Sequence, residues 1–254
     1  MHPILSIFAI TALSTLATTS HAKKVNDSLD AFAPETWEIA DGWHNGYPFL
    51  SDWRHDRVTF SDQSMQIQLR QNHDGSWSSG EVRSKDYFGN GCFQVEIKPV
   101  RADGVVSAFF LFAGHFDQDR KSNGIHNEID IEFLGMNTNL VQFNYWTNDD
   151  GYENAHEHLH YLNFDAADDF HHYAIEWSDR AIKWFIDGEL VHQINDSASD
   201  PIPSSKETRF KVMTNVWAAH PDLSNWTGSF DSQTHQSYQA EYKNYQYNPG
   251  KCRF

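Results

Sequence analysis

Apolar and polar residues alternate with period two along most of the chain, and no long stretch sustains the i, i+3, i+4, i+7 spacing of an amphipathic helix. Met65, Ile67 and Leu69 alternate with Gln66, Gln68 and Arg70, and Phe93, Val95 and Ile97 with Gln94, Glu96 and Lys98. Successive side chains of a strand point to opposite faces, so each run predicts a half-buried antiparallel strand. Residues 105–112 are nearly continuous in apolar character, which predicts a central strand covered on both faces. Residues 210–217 and 238–247 are read as further strands. Asp187-Gly188 separates apolar-rich residues 182–186 from 190–194 and predicts a tight hairpin, because both turn residues tolerate positive φ. Many short strands divided by Gly, Asn, Asp and Ser turns, without βα alternation, predict an all-β, two-sheet antiparallel sandwich. Residues 196–205, with Pro201 and Pro203, are read as a surface loop, and one domain is expected over residues 23–254.

Charge narrows the partners. Nineteen Lys and Arg against thirty-five Asp and Glu give a net charge of −16, which repels a phosphate backbone, so no nucleic-acid partner is expected. Residues 4–17 form an apolar run ending at Ser20-His21-Ala22, an A-x-A-like cleavage site. Residues 1–22 are therefore read as a secretory signal peptide, too short for the roughly 20 apolar residues of a spanning helix, with no membrane attachment after removal. Export favours an oxidising compartment, in which Cys92 and Cys252 either pair or remain two separate buried thiols.

The sharpest chemical signal is Glu128-Ile129-Asp130-Ile131-Glu132-Phe133, where alternation puts three carboxylates on one face and three apolar side chains on the other. Like charges in a row repel, so the arrangement implies a compensating use. A cation site wants such oxygens. Acid and nucleophile work wants neighbouring carboxylates of unequal proton affinity, and crowding provides that directly. Four residues of strand advance roughly 13 Å, whereas retaining glycosidases hold their two carboxyl groups only about 5–5.5 Å apart. The side chains must therefore converge over a curved sheet whose hollow face carries the acids.

At this motif the chain resembles glycoside hydrolase family 16, the bacterial lichenases in particular. The likeness extends from Asp41-Gly42-Trp43 through Glu81-Val82-Arg83-Ser84 and Val141-Gln142-Phe143-Asn144-Tyr145-Trp146-Thr147 to Asn215-Val216-Trp217 and Ala240-Glu241-Tyr242. The resemblance implies a jelly-roll with a concave substrate cleft, and a β-glucan, foremost mixed-linkage β-1,3-1,4-glucan, as substrate. It implies Glu128 as nucleophile, Glu132 as general acid then base, and Asp130 as the residue that tunes both. The matched positions offer Trp43, Phe110, Phe112, Trp146, Trp217 and Trp226 as sugar platforms. Asn45, Glu81, Arg83, Asn144 and Asn215 become hydrogen-bonding partners for hydroxyls. No cofactor is implied, no metal takes part in catalysis, and a monomer is expected.

Four departures from the pattern stand out. His126 occupies the position where lichenases commonly carry Trp, a feature closer to plant xyloglucan-active enzymes of the same family, and residues 115–127 form a longer loop. Ser51 or Asp52 and Gly80 replace the family's disulfide cysteines. Lys243 replaces an Asp that binds structural calcium, so no calcium is expected there. His156, His158 and His160 share a strand face by spacing, but neighbouring His stand about 6.5–7 Å apart on a strand, which disfavours a zinc site. The rival from another class is a lectin-like module, which shares an aromatic cleft but needs no acid pair.

Overall fold

The computed structural model describes residues 23–61, 63–114, 125–147, 150 and 155–254; residues 1–22 and most of the 115–127 loop lie outside the described residues. Among the described residues two sheets stack as a jelly-roll sandwich. The first sheet runs in the order β12 (His158–Tyr161), β11 (Leu140–Trp146), β10 (Asn127–Leu134), β9 (Val105–Ala113), β16 (Lys211–Ala218), β7 (Glu81–Ser84) and β2 (Trp37–Ile39). The second runs β15 (Glu189–Asn195), β14 (Ala181–Ile186), β13 (His171–Ser178), β8 (Gly91–Lys98), β17 (Tyr238–Asn248), β5 (Ser64–Gln71), β6 (Trp77–Ser79) and β3 (Ser51–Trp53). Two short strands complete it, β1 (Val25–Asp27) on β17 and β4 (Val58–Ser61) on β5. The α-helix among the described residues is a single turn, α1 (Ser224–Thr227).

Period-two patterning decides which side of each strand is buried. Phe109 and Leu111 of β9, Ile129, Ile131 and Phe133 of β10, and Phe143 and Tyr145 of β11 enter one core with Phe93, Val95 and Ile97 of β8. Rings meet across the layers: Phe133 lies 5.0 Å from Tyr173, and Phe143 5.5 Å from Trp184. The central strand β9 is covered on both faces as expected, since Val106, Ala108 and Phe110 are also buried on its other side. The expected hairpin joins β14 to β15, with φ of 48° at Asp187 and 85° at Gly188.

Cys92 and Cys252 form a disulfide, so the two-thiol alternative is excluded. The bridge ties the segment after β17 to β8 and closes a loop of 160 residues. In the chain-entropy account, that constraint removes about 5 kcal/mol of unfolded-state freedom. Cys252→Ser is expected to lower the melting temperature by roughly 10 °C. Thermal unfolding with and without reductant checks this, and an unchanged midpoint shows that the bridge adds nothing. At the family's calcium position the Lys243 ammonium sits 3.3 Å from Glu96 Oε2 and 4.0 Å above the Phe170 ring. A fixed positive charge opposes a divalent cation, so the residues here do not fit calcium.

Candidate active site

The acidic strand β10 is the third of the seven-stranded sheet, flanked by β9 and β11, and its even-numbered residues face away from the core. Cross-strand register then fixes what surrounds each acid. Glu128 stands between Phe112 and Trp146, Asp130 between Phe110 and Asn144, and Glu132 between Ala108 and Gln142. The row through Glu132 continues across β16 and β7 as Asn215 and Glu81. Ile129, Ile131 and Phe133 hold the opposite face in the core. Their burial contributes roughly 1.5–3 kcal/mol each. Repulsion between two neighbouring carboxylates is about 1–4 kcal/mol near a protein surface. The apolar face therefore outweighs the cost of the acidic one.

Protonation lowers that cost further. Burial, with the charges of Glu128 and Glu132 and a hydrogen bond to Glu128, lifts the Asp130 carboxyl well above the usual carboxylate range. Burial and the charges of Glu128 and Glu157 raise Glu132 to about 8, against the opposing effect of its hydrogen bond from Gln142. The raised proton affinity of Asp130 suits it to be the donor in its hydrogen bond with Glu128. Gln142 Nε2 donates to Glu132 Oε2 at 3.1 Å, and Trp226 Nε1 donates to Gln142 Oε1 at 2.8 Å, so a relay from α1 orients Glu132. His126 Nε2 lies 2.8 Å from Glu128 Oε2. Burial depresses His126, but the hydrogen bond and charge of Glu128, with the charge of Asp150, outweigh it and raise the imidazole. From behind, Trp184 Nε1 of the other sheet donates to the Asp130 carbonyl at 2.9 Å.

The expected binding residues divide into two groups. On β7 and β16, Glu81 accepts from Arg83 at 2.5 Å and from Asn215 at 3.1 Å, while the Arg83 guanidinium lies 5.2 Å from the Trp43 ring centre. Trp43 is 37% exposed and offers an open ring, whereas Trp217 is buried between Phe49 at 4.5 Å and Trp226 at 6.1 Å and acts more as a wall. Asn45 spends its Oδ1 on Trp53 Nε1 at 2.9 Å. Phe110 packs with Ala108 and Met213 on the acid-bearing face rather than in the main core, with Phe112 beside it. Asn144 accepts from the His156 backbone N–H at 3.0 Å, and Trp146 stacks on His126 at 6.5 Å.

Two readings need amendment. Gln142 was missed as a partner of Glu132, although it shares its strand face with Asn144 and Trp146 by simple alternation. Only two of the three His lie on the strand: His158 and His160 share a face of β12 turned towards Phe143, whereas His156 precedes β12, stacks on Tyr145 at 3.9 Å and binds Asp200 at 2.9 Å. Among the described residues no group of three His, Cys, Asp or Glu is arranged to hold a metal ion.

The geometry has counterparts. The family model described as glycosyl hydrolases family 16 matches residues 45–244. A beta-glucanase of Paenibacillus polymyxa is 39% identical over 207 residues, spanning 81% of this chain and 80% of that one. The solved beta-glucanase of Bacillus licheniformis superposes with a TM-score of 0.79 at 33% identity, covering 89% of this chain and 98% of that one. A prokaryotic beta-1,3-1,4-glucanase (lichenase) from a mouse hindgut metagenome gives a TM-score of 0.79 at 34% identity over 90% of this chain and all of that one. Matched by the family model over residues 45–244 and by relatives over most of its length, the chain belongs to glycosyl hydrolases family 16 and is a glycoside hydrolase.

Proposed function

We propose that the protein is a secreted endo-β-glucanase that cleaves mixed-linkage β-1,3-1,4-glucan with retention, by double displacement and without a cofactor. One observation carries the reading: Glu128 and Glu132 stand on the same face of one strand, where burial and the charge of Glu128 raise the proton affinity of Glu132 to about 8. A protonated carboxyl beside a charged one is the division of labour that the reaction needs. Glu128 attacks the anomeric carbon while Glu132 gives its proton to the glycosidic oxygen; the bond to the leaving sugar breaks and a glycosyl ester forms. Glu132, now a carboxylate, takes a proton from water, which attacks the same carbon and releases Glu128. Asp130, its proton affinity raised beside Glu128, is placed to donate to that carboxylate and steady its charge before the ester forms and after it breaks. Two relatives support the substrate, one named a beta-glucanase and one a beta-1,3-1,4-glucanase. The apolar run and Ser20-His21-Ala22 support export.

A second reading rests on His126, which binds Glu128 directly and which prompts xyloglucan as substrate. A panel of barley-type mixed glucan, laminarin and xyloglucan, each with and without an oligosaccharide acceptor, separates the two. Rapid release of short oligosaccharides from the mixed glucan alone is expected. Preferential cutting of xyloglucan, or transfer to the acceptor in place of hydrolysis, overturns the proposal.

A further inference from the structure

Edge strands usually carry charge or proline on their exposed side, because an apolar stripe there invites pairing with other chains. Strand β12, the last of the acid-bearing sheet, does the opposite. His158 and His160 turn inward, and the outward residues are Leu159 at 46% and Tyr161 at 73% exposure. Register places Leu159 opposite Gln142 and Tyr161 opposite Leu140, so both side chains share the face of the acids. Leu159 stands in the same cross-strand row as Glu132, two strand spacings away or roughly 10 Å. Tyr161 lies roughly 7 Å further along β12.

The direction of this stripe matters. A general acid stands on the leaving-group side of the bond that it cleaves. Gln142 holds the Glu132 carboxyl from the β11 side, whereas Glu81, Arg83, Asn215 and Trp43 lie across β9 and β16 on the other. We infer that Leu159 and Tyr161 form a subsite for sugar units on the leaving-group side of the scissile bond, with the Tyr161 ring as the platform. An aromatic face next to an aliphatic side chain suits the C–H face of a pyranose, and the phenol adds a hydroxyl partner. The inference rests on the glucanase reading above, since it needs a chain of sugars crossing β10. Continuity with the acidic row favours glucan over a second copy of this chain as occupant.

The test uses Tyr161→Ala, Leu159→Ala and Tyr161→Trp in the full chain. For polymeric glucan the alanine variants are expected to raise KM about fivefold to tenfold with kcat nearly unchanged, while Tyr161→Trp stays close to wild type. An aryl oligoglucoside whose leaving group is a single aromatic ring does not reach β12, and its kcat/KM is expected to stay at the wild-type level in all three. Unchanged KM on polymer in both alanine variants overturns the subsite, as does equal loss on the short substrate. A change in sedimentation without a change in KM assigns the stripe to self-association and overturns it as well. If the wild-type protein cuts no glucan at all, the underlying reading fails first, which is a distinct result.

Discussion

Glu128→Gln is expected to lower kcat for glucan by on the order of 10⁴-fold while the protein still folds and binds polysaccharide. The substitution keeps the shape of the side chain but replaces the charged carboxylate oxygen that attacks the anomeric carbon with a neutral amide oxygen, a far weaker nucleophile. Folding is spared because Glu128 stands on the cleft face, whereas the same strand is anchored by Ile129, Ile131 and Phe133. A second readout follows from His126, whose proton affinity is raised through its contact with Glu128. With a neutral amide at position 128 that support is lost, and the imidazole should titrate at lower pH in an NMR experiment. Steady-state kinetics and a melting curve check the first part. Turnover within tenfold of wild type removes Glu128 from the chemistry, whatever the His126 titration shows.

Glu132→Gln separates acid catalysis from the rest. Hydrolysis of glucan is expected to fall about 10²- to 10⁴-fold, and much less for aryl glycosides whose leaving group needs no proton. Added azide is expected to rescue Glu132→Ala by attacking the glycosyl ester without a base. The wild-type pH profile carries the sign of the shift: the acid must be protonated, its proton affinity is raised to about 8, so activity is lost as pH rises through about 8. That alkaline limb should vanish from the residual activity of the glutamine variant. Stability follows the same direction with pH. A carboxyl raised in the folded state contributes stability fully present below its unfolded value and lost as pH rises through the folded one. Glu132→Gln should therefore melt a few degrees above wild type near pH 8 and at the same temperature near pH 4. Equal melting at both pH values, with an unchanged alkaline limb, shows that another group sets the profile.

The fold was legible wherever one side of a strand is wet. The runs at 65–69 and 93–97 and the Asp187-Gly188 turn declare themselves because each position has one unambiguous environment. The acidic row was legible for the same reason, since 128, 130 and 132 alternate strictly with apolar neighbours. Partnerships between strands distant in sequence were not. Nothing local says that Gln142 meets Glu132, that Trp226 reaches Gln142 across 84 positions, or that Cys252 finds Cys92. Such contacts depend on sheet order, which period-two patterning leaves open. Nor does an apolar strand say by itself whether Phe110 and Phe112 face another layer or a cleft, because it reads alike in both settings.

The Trp184 side chain reaches from one sheet to the other and donates to the Asp130 carbonyl. It anchors the backbone of the reacting strand to a layer that never meets the sugar, at the very point where electrostatic crowding is greatest. The floor of the groove is consequently preorganised, and substrate need not meet the entropic cost of aligning it. Adaptation to a new polysaccharide is then freest at the rim, where a residue such as Tyr161 can change without disturbing the reaction coordinate.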